Sequence, residues 1–170
     1  MIAALDVAYG DARAATACVL FESWGLEHPS AEHTAMLDVP GDYVPGRFFE
    51  RELPCLLDLL DGLDAAPDII VVDGYVWLGG TERPGLGAHL FEALGRRIPV
   101  VGVAKNPFAG AVEAAPLLRG DSERPLFVSA AGMAVDEALH AIATMHGPYR
   151  IPTLLRRVDQ LARQRLAEEK

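Results

Sequence analysis

The sequence contains little that would place it in a membrane, in a secretory route or in an oxidising compartment. No apolar run reaches the roughly 18 residues that a helix needs to cross a bilayer. The amino terminus has neither the basic start nor the cleavage site of a signal peptide. The two cysteines, Cys18 and Cys55, are far apart and lack metal-ligand spacing. We therefore expect a cytoplasmic protein whose cysteines are reduced thiols in the core.

Positive charge is also scarce. Lys and Arg total 15 against 24 Asp and Glu, which gives a formal net charge of −9. A protein that binds phosphate backbones would then need a local basic patch. Arg156, Arg157, Arg163 and Arg165 are candidates for that patch, although the solvated face of an amphipathic helix explains them as well. The 170 residues, 51% of them hydrophobic, predict a single domain over 1–170 with a substantial core.

The order of periodic segments predicts the fold class. We expect strands at 2–9, 14–22, 33–39, 69–72, 98–103 and 125–129, and helices at 48–63, 86–96, 135–145 and 153–168. Pro54 is tolerated in its helix if it lies in the first turn. Three strands with short connections, followed by alternating helices and strands, indicate an α/β domain with a mixed central sheet flanked by helices.

Three acidic residues stand where apolar ones are expected. Asp6 interrupts an apolar strand, and Asp73 closes another at its carboxyl end, where open α/β sheets place ligands. Glu52 lies three residues after Phe49 and four before Leu56, so helical geometry puts it on the apolar stripe. These positions predict three carboxylates that face the interior.

Buried carboxylates need a compensating partner, because an unpaired ionised group that faces a core costs on the order of several kcal/mol of stability. Mg²⁺ prefers oxygen ligands, so convergent carboxylates on two strands and a helix predict a site for Mg²⁺ or Mn²⁺. Each acid also has a structural explanation. Asp73 could form an Asx turn with Gly74, and Glu52 could be favoured by the helix dipole.

The chain resembles the endonuclease V family in a set of short sequence blocks that follow the family's order over nearly its whole length. Each block alone is a weak match. The blocks are ALDVAY (4–9), YVPG (43–46), FERE (49–52), VVDG (71–74), GLGAH (85–89), VGVAK (101–105), PLFVS (125–129), YRIP (149–152) and RVD (157–159). The resemblance implies a ribonuclease H-like fold. It also implies a metal-dependent endonuclease that hydrolyses a phosphodiester near inosine, deoxyinosine or another deaminated base in DNA or RNA.

The resemblance also implies roles for individual residues. Asp6, Glu52 and Asp73 match the metal-binding acids of the family, and Lys105 matches a lysine of its active site. The wedge that separates the strands beside the lesion is matched by Tyr43, Val44 and Pro45. The positions where bare backbone lines the base pocket are matched by Gly46 and Gly74.

Two histidines typical of the family are absent, and Gly132 and Gly79 stand at the matching positions. Asp136, at the start of the next-to-last helix, is a candidate metal ligand in place of one of them, although a plain first-turn acid is an equal explanation. The missing histidines and the acidic surface leave an alternative function open. In it, the protein is a catalytically weakened homologue that recognises altered bases or branched nucleic acid without cutting. A third hypothesis is an α/β protein whose acids bind a metal that acts on a small phosphorylated substrate.

Overall fold

A computed structural model describes residues 1–38, 49–79 and 83–168. The described elements are β1 (Ile2–Tyr9), β2 (Arg13–Phe21), β3 (Ala31–Asp38), α1 (Phe49–Asp61), β4 (Ile69–Asp73), α2 (Leu86–Ala93), β5 (Val100–Ala104), β6 (Ala115–Leu117), β7 (Leu126–Ala131), α3 (Val135–Thr144) and α4 (Thr153–Ala167). The strands form one sheet in the order β3-β2-β1-β4-β5-β7-β6. The predicted mixed sheet with flanking helices is therefore confirmed.

Two details differ from the sequence prediction. Strand β6 was not expected, because a three-residue edge strand containing Pro116 carries no periodic signal. Pro54 lies inside α1, beyond the first turn in which it was expected. It is exposed, so the carbonyl group of Glu50, which would have accepted a hydrogen bond from residue 54, can bind water instead.

Strand directions decide which residues share an edge of the sheet. Strands β1, β4 and β5 run parallel, whereas β7 is antiparallel to β5 and pairs Ala104 with Phe127. The end of β4, the end of β5 and the start of β7 therefore lie along one edge, which we call the carboxyl edge. Residue 6 of β1 passes the same level, because Leu5 pairs with Val72.

The sheet separates two apolar cores. On one face Ala4, Val71 and Val101 pack with residues of α3 and α4, among them Ile142 and Val158. The other face is covered by α1 and α2, and its core includes Leu5, Leu56, Leu59, Val72 and Leu90. Successive side chains of a strand point to opposite faces, and both faces of the central strands are covered. Strands β1, β4 and β5 are therefore almost entirely apolar, and acids within them are exceptional.

Both cysteines are free thiols and both are buried, as expected from the sequence. Within the described ranges, no helix has the length and apolar character that a membrane span requires.

Candidate active site at the carboxyl edge

Asp6 and Asp73 stand side by side at the carboxyl edge. Because Leu5 pairs with Val72 in parallel register, the next position on each strand brings the two acids to the same level. Both share the parity of Ala4 and Val71, so they lie on the face covered by α4. The backbone N–H of Val7 donates to Oδ1 of Asp6 at 2.8 Å, which orients that carboxyl group.

Glu52 reaches the same place from the opposite face of the sheet. Its side chain is only 8% exposed, and its neighbours along α1, Cys55 and Leu56, are buried with it. One small cavity is lined by all three acids. The other residues that line it are Leu5, Val7, Leu56, Val72 and Leu86. The helical spacing therefore placed Glu52 correctly on the core-facing stripe.

Burial and mutual repulsion make two of the acids weak. Burial raises the pKa of Asp6 to about 7, and the neighbouring charge of Asp73 adds to this effect. The pKa of Glu52 rises to about 8, first through burial and then through the charges of Asp6 and Asp73. Both carboxyl groups therefore lack sufficient positive charge nearby, which is the electrostatic condition under which a cation binds favourably.

Asp73 forms an ion pair with Lys105. Nζ of Lys105, the residue after β5, lies 2.5 Å from Oδ2 of Asp73, and both side chains are 39% exposed. Burial works to lower the pKa of Lys105, but its hydrogen bond to Asp73 and the charges of Asp73 and Asp6 raise it overall. Lys105 is therefore a protonated donor beside the acids.

A fourth acid, Asp159 of α4, belongs to this group. Its charge raises the pKa of Asp6, and both line a cleft on the α4 side of the sheet. Arg163 Nε and Nη2 hold one of its oxygens at 3.1 and 3.0 Å. The sequence carried a signal for Asp159, which lies four residues after Leu155 and three before Ala162 on the packed side of the helix. It is the same kind of signal that identified Glu52.

Strand direction places Asp136 away from the other predicted site acids. Strand β7 is antiparallel to β5 and ends at Ala131, opposite Val100, on the edge of the sheet far from Asp73. Helix α3 begins shortly afterwards, so Asp136 in its first turn is exposed at that far edge. The sequence could not indicate this, because the direction of a strand is not encoded in its own periodicity.

Gly74 lines a second cleft, of about 250 Å³, next to the acids. Its φ of +127° is in the region that favours glycine, and an added Cβ would meet nothing within 4 Å. The loop after it lies directly over β5, where a Cβ on Gly102 would come within 2.6 Å of the carbonyl oxygen of Gly74. The cleft is also lined by Phe49, Glu52, Asp73, Tyr75, Leu78, Gly85 and Leu86.

Two expectations concern metal and wedge residues. Across 1–38, 49–79 and 83–168, no three His, Cys, Asp or Glu side chains are grouped closely enough to hold one metal ion. The acids are thus neighbours around a common cavity, with oxygens that are not gathered into a ligand set. The predicted wedge and pocket residues Tyr43, Val44, Pro45 and Gly46 lie outside the described residues.

The sheet order, the helices on both faces and the acids at the carboxyl edge define a ribonuclease H-like fold. Residues 1–124 match the family model for endonuclease V. An endonuclease V from Streptomyces avermitilis is 37% identical over 98% of this chain and 81% of the relative. The crystal structure of the Streptomyces avermitilis endonuclease V superposes with a TM-score of 0.76, covering 99% of this chain and 82% of that chain. The chain belongs to the endonuclease V family, which is a family of nucleases.

A more distant relative shares the fold. An endonuclease V from Ciona intestinalis has a TM-score of 0.83 at 19% identity, covering 99% of this chain and 87% of that chain. That protein was crystallised in complex with a 24mer DNA containing an inosine followed by a ribo-adenosine.

Proposed function

We propose that this protein is a metal-dependent endonuclease that hydrolyses a phosphodiester near inosine, deoxyinosine or another deaminated base in DNA or RNA. The observation that carries the proposal is the placement of Asp6, Glu52 and Asp73 around one cavity at the carboxyl edge. Membership of the endonuclease V family supports the reaction class. The DNA in the Ciona intestinalis complex supports the choice of an inosine-containing substrate.

The acids suit a hard divalent cation, Mg²⁺ or Mn²⁺. Their donors are carboxylate oxygens, and the raised pKa of Asp6 and of Glu52 indicates that nearby groups, Lys105 included, do not fully compensate the negative charge of the acids. We propose Asp6, Glu52 and Asp73 as its ligands, with Asp159 as the fourth acid in place of Asp136. Bound there, the cation supplies Lewis-acid stabilisation to phosphodiester hydrolysis.

The other residues of the site have separate tasks in this proposal. Lys105, already protonated and next to Asp73, is placed to stabilise negative charge that develops on the scissile phosphate. The cleft beside Gly74 accepts the altered base, and Phe49, stacked on the ring of His89 at 3.8 Å, supports one wall of it. Tyr43, Val44, Pro45 and Gly46 would separate the neighbouring bases and complete the pocket.

Cleavage of defined oligonucleotides tests the proposal. Single- and double-stranded DNA and RNA, each with one inosine and matched to a strand without it, are incubated with Mg²⁺, Mn²⁺ or EDTA. We expect cleavage that requires both inosine and metal. Asp73→Asn should abolish it while the protein keeps its thermal stability, because Asp73 is partly exposed and outside the core. Cleavage by Asp73→Asn at the normal rate would refute the assigned chemistry.

One observation favours a second candidate, a family member that binds altered or branched nucleic acid without cutting it. The described acids are not gathered into a set of three metal ligands. This candidate predicts tight, inosine-dependent binding of the same oligonucleotides with no product under any metal. The assay above distinguishes it from the first.

The site of action is a further part of the proposal. Two free, buried thiols suit a reducing compartment, and we propose that the protein acts in the cytoplasm. Its fractionation with the cytoplasmic marker enzymes of its source would test this.

A further inference from the structure

Two arginines lie at the carboxyl edge beside Lys105. Arg124 stands just before β7, and the antiparallel pairing of β7 with β5 brings it to the edge where β5 ends. Its side chain is exposed, and Nη2 lies 3.5 Å from Oδ1 of Asn106, the residue after Lys105. Arg124 therefore lies beside the residue that follows Lys105, although the two are 18 positions apart in sequence.

Arg150 contacts the segment that carries Arg124. It stands in the loop before α4, and its Nη2 donates to the carbonyl oxygens of Lys105 and Pro125. Pro125 is the residue after Arg124, so this hydrogen bond brings Arg150 to the segment that carries Arg124. Burial lowers the pKa of Arg150, and the charge of Arg124 lowers it further. Arg150 thus connects the segment before β7 to the backbone of Lys105.

The loop that carries Arg150 is held by another arginine. Arg119 is only 8% exposed, and its guanidinium group donates to the carbonyl oxygens of four loop residues. These are Met145, Gly147, Tyr149 and Arg150. All of the contacts are made to backbone, so Arg119 fixes the loop and leaves Arg150 in one position before any ligand arrives.

Within the described ranges, these two arginines differ from several others in having no carboxylate partner. In the part of the chain that the structure describes, no carboxylate lies within ion-pair distance of Arg124 or Arg150. The arginines of α4 differ in this respect, because Arg157 forms a two-pronged pair with Glu32 and Arg163 pairs with Asp159. Two adjacent like charges without a counterion are unfavourable, and an anion between them removes the repulsion.

We propose that Arg124 and Arg150 form a second phosphate-binding site, which holds a backbone phosphate of the nucleic acid next to the one at Asp73. The inference rests on the proposed function and adds to it the path of the strand, from the Gly74 cleft across the acids to this pair. Guanidinium groups suit phosphate because their planar N–H donors match its oxygens. In a chain of net charge −9, such a local site supplies the attraction that the overall surface lacks.

The salt dependence of binding tests this site. A fluorescein-labelled, inosine-containing single-stranded oligonucleotide is titrated with protein in EDTA, so that metal-dependent cleavage does not occur, over a range of KCl concentrations. Each lost phosphate contact should reduce the slope of log K against log[salt] by about 0.7. We expect Arg124→Gln to lose about this much and to bind several-fold more weakly, whereas Arg124→Lys, which keeps the charge, retains most of the slope.

Arg97→Gln is the matched control. Arg97 is an exposed arginine with one contact to a backbone carbonyl, and it precedes β5 at the far edge of the sheet. We expect its slope to equal that of the unmodified protein. An unchanged slope in Arg124→Gln would overturn the phosphate site, and inosine-dependent cleavage by the unmodified protein would then leave the proposed function standing. Conversely, a reduced slope without any cleavage or inosine preference would support the phosphate site and overturn the proposed nuclease.

Discussion

Replacing Glu52 by Gln should stabilise the protein when no metal is present. Glu52 is buried, and its pKa rises from 4.5 to about 8 on folding. The folded protein therefore binds a proton that the unfolded chain releases between these two values, so the ionisation of Glu52 reduces stability as pH rises. At roughly 1.4 kcal/mol per pKa unit, the cost approaches about 5 kcal/mol above pH 8 and is about 3 kcal/mol at pH 7.

These magnitudes are upper limits for the variant, because Asp6 and Asp73 contribute to the pKa of Glu52 and relax when its charge is removed. Gln has nearly the same volume as Glu, so no cavity forms and the packing against Leu56 is kept. We expect the free energy of unfolding of Glu52→Gln to exceed that of the unmodified protein by up to about 3 kcal/mol at pH 7. The two should become equal near pH 4, where Glu52 is protonated in both states.

Urea unfolding in EDTA, at pH values from 4 to 9, measures the difference. Glu137→Gln is the control, because Glu137 is an exposed glutamate in the first turn of a helix, and its removal should change stability by less than about 0.5 kcal/mol. Mn²⁺ should stabilise the unmodified protein more than Glu52→Gln, which has lost one proposed ligand. A difference in the free energy of unfolding that is the same at every pH would refute the assigned ionisation of Glu52.

Three further predictions concern catalysis and the loop before α4. Cleavage at limiting Mg²⁺ should increase from pH 6 to pH 8.5, because Asp6 and Glu52, with pKa values of about 7 and 8, must lose their protons to bind a cation. A flat pH–rate profile would contradict this. The variant Lys105→Met should lower the cleavage rate on the order of 10²-fold at every pH. Arg119→Met should destabilise the protein by about 3 kcal/mol in urea unfolding, because it leaves four buried or half-buried carbonyl groups without their charged donor. A decrease in the free energy of unfolding below about 1 kcal/mol would show that the loop is held by other contacts.

Periodicity was sufficient for most of the elements and for three of the acids. Continuous apolar runs identified β1 and β4, and the placement of Asp6 and Asp73 within or at the end of these apolar strands indicated that they face a special environment. The helical repeat of α1 is sufficient to place Glu52 among buried leucines. Each of these inferences depends on one element only, which is why the sequence sufficed.

The positions of Asp136, Asp159 and Arg124 relative to the site depend on how the elements are arranged relative to one another. Asp136 and Asp159 are both acids in late helices, and only the antiparallel direction of β7 sends the first to the far edge while α4 brings the second to Asp6. The same direction brings Arg124 to Lys105, whereas the sequence had suggested the arginines of α4 as the basic patch.

The type and spacing of residues along the chain decide which carboxylates an apolar strand or helix must bury, and therefore which chemistry is available. Which of those groups are neighbours, and which are neutralised, depends on the packing of the elements. Strand order and direction bring together residues that are distant along the chain, and the balance of charge at each point depends on these neighbours.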